Sequence, residues 1–230
     1  MVYLLPSFLT DESTPMDYIP SNIQIINNLN TFVVEDTRTA RRFIKKVCPS
    51  KDISTCVFYN LNEHSTAAEI ADLESILLIG DIGILSDAGC PCIADPGNAL
   101  VRMAHAKNIP VIPLVGGSSI LLALMGSGFS GQNFSFHGYL PKLETDKIKK
   151  IREMERDAIT KNYTQLCIET PYRNQVLWDS LLQTCQSSTY IGVGINLTSA
   201  TAFIKTQTVS YWIKNKLILP KEPCIFMVGK

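Results

Sequence analysis

Short apolar runs that stop at glycine, aspartate or proline recur along this chain, and each is followed by a stretch with helical spacing. That alternation constrains the fold more than any other feature. Strands are expected at Thr31–Val34, Thr55–Tyr59, Ile82–Leu85, Val111–Leu114, Gln165–Ile168, Tyr190–Ile195 and Cys224–Val228. Helices are expected at Thr39–Val47, Thr66–Leu77, Asn98–Lys107, Ser118–Gly126, Lys142–Thr160, Arg173–Thr184 and Val209–Asn215. Strands alternating with helices of this length predict crossover connections and mainly parallel sheets. A chain of 230 residues suits one large domain or two small ones. The proline-rich strand end and glycine pair at Val115–Gly117 favour two α/β domains, residues 1–115 and 116–230, each with its own sheet. A single doubly wound domain is the rival from pattern alone.

Composition narrows the function classes. Hydrophobic residues make up 46% and charged residues 18%, a globular rather than disordered balance. No apolar run approaches the ~18 residues of a membrane span, and the longest, Ile109–Met125, is broken by two prolines and a Gly-Gly pair. No basic region precedes the apolar start, so a signal peptide is not expected. The seven scattered cysteines fit reduced thiols in a cytoplasmic protein. Cys90 and Cys92 have neither a nearby histidine nor a second pair, so no metal site is expected. Net charge is zero, which weakens a nucleic-acid reading without excluding it. Two basic stretches remain: Arg38, Arg41, Arg42, Lys45 and Lys46, then Lys142, Lys147, Lys149, Lys150 and Arg152. A solvated helix face is the plain account of both.

The most informative segment runs from Gly80 to Gly97. A buried strand leads into Ser86-Asp87-Ala88-Gly89 and on to Asp95-Pro96-Gly97. Ligands of open α/β sheets bind beyond the carboxyl ends of strands, where small residues allow close approach to the backbone. Asp95-Pro96 looks like an N-cap followed by proline at the first helical position. Asp87 opens no helix, and its free carboxylate can accept hydrogen bonds from a ligand hydroxyl or ammonium. Pro113–Ile120 is a second strand, glycine turn and hydroxyl-capped helix, able to hold an anion on free N–H groups. Glu35 and Asp36 end another strand. Glu169 ends one in the second half, with Arg173 close enough to pair with it.

Together these segments are similar to a known family. Glu35–Arg38 and Ser86–Gly97 match its Glu-Asp-Thr-Arg and Ser-Asp-Ala-Gly-x-Pro…Asp-Pro-Gly motifs, and Val111–Ser118 matches its Val-x-Pro-x-x-Gly-x-Ser/Cys turn. Gly138–Pro141 is close to Gly-Phe-Leu-Pro, and Ile168–Arg173 to Tyr-Glu-Ser-Pro-x-Arg. Asn62-Glu63-His64 has a counterpart as well. The order holds over about residues 30 to 185 and resembles the ribosomal RNA small-subunit cytidine 2'-O-ribose methyltransferase family, a branch of the tetrapyrrole methylase superfamily. Two motifs depart. Thr-Pro-Ile-Gly-Asn-Leu is replaced by Leu5–Thr10, and Arg-Glu-Leu-Thr-Lys by Ile195–Ser199, which lacks the arginine, glutamate and lysine.

The resemblance implies two α/β domains of tetrapyrrole-methylase type with S-adenosylmethionine in a cleft between them, and a homodimer. Carried over by residue, donor contacts fall on Asp87, Ala88, Gly89, Ser118, Ser119, Tyr139, Leu140 and Ile168. The acceptor is expected to be a ribose 2'-hydroxyl of small-subunit ribosomal RNA, with Arg38, Arg41 and Arg42 beside it on phosphates. A sulfonium methyl is already activated, so alignment of nucleophile, methyl and sulfur is the main requirement. The hydroxyl proton needs an acceptor, for which Glu35, Asp36 and Glu169 are candidates, and His64 a lesser one. Two alternatives stand: methylation of a small molecule such as a tetrapyrrole, favoured by the neutral charge, and a donor-binding protein without catalysis.

Overall fold

A computed structural model describes every residue except Glu63 and the side chain of Pro15, so the glutamate of Asn62-Glu63-His64 lies outside the described residues. The chain forms two compact units, Met1–Ser118 and Ser119–Lys230.

The first unit contains β1 (Val2–Leu5), α1 (Pro20–Asn28), β2 (Thr31–Val34), α2 (Thr37–Val47), β3 (Val57–Asn60), α3 (Ala67–Asp72), β4 (Ile82–Leu85), α4 (Asn98–Ala106) and β5 (Val111–Pro113). Its sheet runs β3-β2-β4-β1-β5 and is parallel throughout. Val33 and Ile84 join one core with Leu77 and Leu100, while Phe32 and Val34 face the other with Ile26 and Ile44. Burial on both faces explains why the central strands are unbroken apolar runs. In β4, a Cβ on Gly83 would stand 2.5 Å from the Leu5 side chain and 3.2 Å from Phe32, so glycine lets the strand pack flat against them.

The pairing brings the strand ends level. Val34 lies opposite both Asn60 and Leu85, and Leu85 opposite Leu5. The loops that follow β1, β2, β3 and β4 therefore leave the sheet side by side.

The second unit contains α5 (Ser119–Ser127), β6 (Phe134–Tyr139), α6 (Glu144–Lys161), β7 (Thr164–Ile168), α7 (Asn174–Thr184), β8 (Tyr190–Ile195), β9 (Phe203–Thr208), α8 (Val209–Lys214) and β10 (Cys224–Gly229). Its sheet runs β6-β7-β10-β8-β9, and only β6 and β7 pair in parallel. The expectation of mainly parallel sheets therefore holds for the first unit and fails for the second. The connection from β8 to β9 is only residues 196–202, shorter than the dozen residues a parallel crossover needs. β10 completes the sheet by inserting antiparallel between β7 and β8. The core centres on Trp178, which meets Trp212 edge-on at 5.1 Å and lies beside Phe226.

Three strands and a helix escape the periodicity of the sequence. β1 has four residues, β6 carries serine, histidine and glycine among its aromatics, and β9 is a mostly polar strand lying partly exposed at the sheet edge. α1 is rich in asparagine, a weak helix former. The helix expected over Thr66–Leu77 is the short α3 followed by a 3-10 turn at Ser75–Leu78.

Candidate functional site

In the first unit three strand-end loops close on one another with almost no side chain between them. The Ser7 amide, just beyond β1, donates to the Gly89 carbonyl beyond β4 at 2.8 Å. Gly89 has φ +82°, a left-handed backbone that glycine adopts without penalty. A Cβ on Gly116, beyond β5, would fall 2.1 Å from the Pro6 ring, and one on Gly117 would touch Leu9. The Cys90 thiol points at the Gly117 carbonyl at 3.4 Å. Sequence reasoning missed the contribution of Pro6–Leu9, because the four residues of β1 are too few to stand out as a strand.

The β4 loop is held locally as well. Ser86 Oγ donates to the Ala88 carbonyl and accepts from the Ala88 amide. Cys92 and Ala94 both adopt left-handed backbone, at φ 68° and 65°. Such conformations in residues other than glycine cost of order 1 kcal/mol or more and cluster at ligand sites.

Four carboxylates surround this loop. Asp87 and Ala88 are exposed. Partial burial of the Asp87 carboxyl and the nearby Asp36 raise its pKa, against a backbone hydrogen bond from Asp36. The Asp87 amide donates to Glu35 Oε1 at 3.0 Å. Asp36 is the N-cap of α2: its Oδ1 accepts from the Thr39 amide at 2.7 Å, which holds its pKa low. A capping carboxylate that is held ionised is a poor proton acceptor, which argues against Asp36 as a base. Asp95 corrects an expectation. α4 starts at Asn98 with Gly97 as N-cap, so Asp95 does not cap it. The Asp95 carboxyl is half-buried near Ser86, and burial raises its pKa.

Beside these loops α2 presents a shallow concavity lined by Asp36, Arg38, Arg41, Arg42, Lys45 and Ile53. Arg41 lies over the Phe58 ring at 5.7 Å. The two lysines are committed elsewhere: Lys45 donates to the Pro49 and Lys51 carbonyls, and Lys46 to the Asp11 carbonyl. The arginines, not the lysines, define the basic face. In the second basic stretch three of the five cations pair locally, Lys147 with Glu144, Lys149 with Asp146 and Lys150 with Glu153. That helix surface has the plain explanation.

In the second unit β6, β7 and β8 all point their carboxyl ends the same way. Tyr139 is 62% exposed there, whereas Leu140 is 4% exposed and belongs to the core. The Leu140 side chain is therefore packed inward, and a ligand at this strand end would meet its backbone. Ile168 is likewise partly packed into a core, among Leu166 and Ile225. Ser119 opens α5 and is half-buried like Ser118. His64 is exposed and closes a turn, its amide donating to Asn62 Oδ1.

Glu169 is buried, meets Arg173 at 3.0 Å and accepts from the Thr170 amide. This pair is structural in geometry, and Arg173→Met tests it. With Arg173 about a third exposed, solvent screening discounts the pair, and a loss of about 1–3 kcal/mol is expected from leaving the carboxylate poorly partnered. The measurement is the urea midpoint at constant slope; an unchanged midpoint would show that the pair holds nothing.

In the loop that replaces the family's charged motif after β8, Asn196 and Thr198 take left-handed backbone at φ 47° and 74°. Asn196 Nδ2 donates to Thr201 Oγ1 at 2.8 Å. Short polar bonds occupy the place of the missing charges.

Comparison with known structures defines the class. The chain superposes over its full length on the methyltransferase CobJ, covering 92% of it, with a TM-score of 0.63 at 13% identity. It also superposes over its full length on uroporphyrin-III C-methyltransferase from Thermus thermophilus complexed with S-adenosylhomocysteine, covering 97% of it, with a TM-score of 0.58 at 15% identity. The fold is that of the tetrapyrrole methylases.

In sequence the chain resembles a particular branch. It is 33% identical over 141 residues to ribosomal RNA small subunit methyltransferase I of Vibrio cholerae, a match that spans 60% of this chain and 47% of the relative. It is 31% identical over 173 residues to the protein of that name from Streptococcus pyogenes (75% and 56%), and 32% identical over 173 residues to that of Micromonospora olivasterospora (75% and 51%). The chain spans about half the length of these curated relatives. No protein-family profile matches it. Among the described residues, no helix is long and apolar enough to cross a membrane.

Proposed function

We propose that this protein is an S-adenosylmethionine-dependent methyltransferase acting on a ribose 2'-hydroxyl of small-subunit ribosomal RNA. The observation that carries the reading is the first unit's sheet edge. An exposed, partly desolvated Asp87 carboxylate stands there on a loop packed backbone to backbone against two others, in the fold of a methyltransferase solved with the demethylated donor. The residues present fit such a donor. Asp87 offers a carboxylate to a hydroxyl or ammonium, exposed Ala88 adds little bulk beside it, and Gly89, Gly116 and Gly117 let the three loops pack against Pro6 and Leu9. Ser118, Ser119, Tyr139, Leu140 and Ile168 are the further contacts proposed from the resemblance alone.

When bound, S-adenosylmethionine supplies a methyl group already activated by its sulfonium. The chain's own contribution is positional, the effect of orientation rather than of a strong base. Of the three carboxylates proposed at the site, Asp36 is committed to a helix cap and Glu169 to Arg173, while Glu35 accepts from the amide of the donor loop. Arg38, Arg41 and Arg42 would meet phosphates, which position RNA without reading its sequence.

The reading includes a homodimer and a cytoplasmic location. A dimer is supported by α5, apolar along Ile120–Met125 with Met125 79% exposed, as an all-round apolar helix is normally covered. Light scattering at micromolar concentration tests it, and a monomer counts against it.

Asp87→Ala is expected to weaken donor binding by about 1–3 kcal/mol, the worth of hydrogen bonds to a charged group. The donor favours the ionised carboxylate, so affinity is full above the Asp87 pKa and falls as pH drops through it. Because that pKa is raised, the loss begins at higher pH than for an ordinary aspartate. Calorimetry from mildly acidic to neutral pH reads both effects. An unchanged affinity in a folded Asp87→Ala protein would make Asp87 a turn residue. Labelled methyl appearing in a small metabolite instead of ribosomal RNA would favour the small-molecule reading, and label in neither the donor-binding one.

A further inference from the structure

We propose that Glu35 is a positioning residue that fixes the donor-binding loop by accepting the Asp87 amide hydrogen, and is not the acceptor of the substrate's proton. This rests on the methyltransferase reading above. Ser86 to Gly89 carry the donor side of that loop, and the loop is pinned from both sides. At its far end the Gly89 carbonyl accepts from the Ser7 amide beyond β1. At its near end the Asp87 amide donates to Glu35 Oε1 beyond β2, across 52 residues of sequence. Across the near pin Ser86 and Ala88 bond to each other.

The reason for this pairing lies in the sheet. β2 and β4 are neighbours, and Val34 lies opposite Leu85. Glu35 and Ser86 are thus the first residues beyond the level strand ends, and a glutamate there reaches the amide of the next residue in the facing loop. The contact also sets where the Asp87 side chain begins, since the bonded amide belongs to the residue whose carboxylate faces the ligand. Taking up a proton would discharge the carboxylate and weaken the charge-assisted hydrogen bond that Glu35 Oε1 accepts from the Asp87 amide. Base and pin are therefore competing uses of one group.

Two substitutions separate them. Glu35→Met keeps the length of the side chain and removes the acceptor, whereas Glu35→Gln keeps an acceptor oxygen and removes the basicity. Affinity for S-adenosylhomocysteine by calorimetry and exchange of the Asp87 amide by NMR are the readouts, with methyl transfer to small ribosomal subunits measured across pH. Glu35→Met is expected to bind S-adenosylhomocysteine about 10-fold more weakly, in line with one lost hydrogen bond to a charged group, and to exchange the Asp87 amide correspondingly faster. Glu35→Gln is expected to restore both, with a pH profile for transfer of the wild-type shape. If Glu35→Met does not fold, Glu35→Ser, too short to reach Asp87, takes its place.

Three outcomes overturn the proposal. Glu35→Met or Glu35→Ser that binds S-adenosylhomocysteine as tightly as the wild type removes the pin. Glu35→Gln that binds normally but transfers over roughly 100-fold more slowly, the scale of a lost general base, makes Glu35 the proton acceptor. A wild-type protein that binds neither donor nor product overturns the methyltransferase reading itself, and that result shows in the wild type alone.

Discussion

An Arg41→Glu, Arg42→Glu double variant is expected to bind small-subunit ribosomal RNA roughly 30-fold or more weakly at physiological salt, and to methylate it correspondingly less, with donor affinity unchanged. The magnitude follows from counterion release: each phosphate neutralised contributes a slope of about 0.9 in log affinity against log salt. Losing two such contacts removes about 1.8 from that slope, and the added negative charge repels the backbone further. The structure singles out the arginines because Lys45 and Lys46, on the same helix, already donate to backbone carbonyls. Filter binding over a series of salt concentrations reads both the affinity and the slope. If the double variant binds and methylates like the wild type, the concavity on α2 is a solvated face and the RNA reading loses its structural support.

Trp178→Ala is expected to destabilise the second unit by about 3–5 kcal/mol, the range for removing a large aromatic side chain from a packed core. Trp178 is 1% exposed, contacts Trp212 edge-on and lies beside Phe226, so its loss leaves a cavity at the meeting point of α7, α8 and β10. Aromatic pairs of this geometry add about 0.5–1.5 kcal/mol beyond buried area. The chain has two tryptophans, Trp178 and Trp212, both in this unit. Trp212 therefore remains as a fluorescent reporter of the second unit alone, its Nε1 donating to the Ile191 carbonyl in the native state. A denaturant midpoint unchanged in that signal would mean that the core closes over the missing ring.

Much of the site is legible in the amino-acid sequence. Ser86–Gly89 and Gly116-Gly117 stand out as candidate loops because small residues directly follow apolar strands, and both features are local. The acidic residues are legible as a set but not by role. Nothing in Glu35-Asp36 says which residue caps the helix and which reaches across the sheet. The answer depends on the register between β2 and β4, which places Asp87, 52 residues away, within reach of Glu35. Asp95 misleads for the same reason. Asp-Pro reads as a helix start, yet the left-handed Cys92 and Ala94 turn the chain so that α4 begins only at Asn98.

By itself the sequence determined the alternation of strands and helices, the apolar faces of the central strands and the glycines that mark the loops, because burial on one or both sides of an element imposes its own period. Strand direction in the second unit was decided only by tertiary structure. A hydrophobic run such as Cys224–Val228 carries no arrow, and β10 is antiparallel because the place between β7 and β8 is reached from that side. The commitments of individual charges were also settled in three dimensions. Lys45, Lys46, Asp36 and Glu169 look like available chemistry in one dimension, and each is spent on a hydrogen bond or ion pair that only the folded chain supplies.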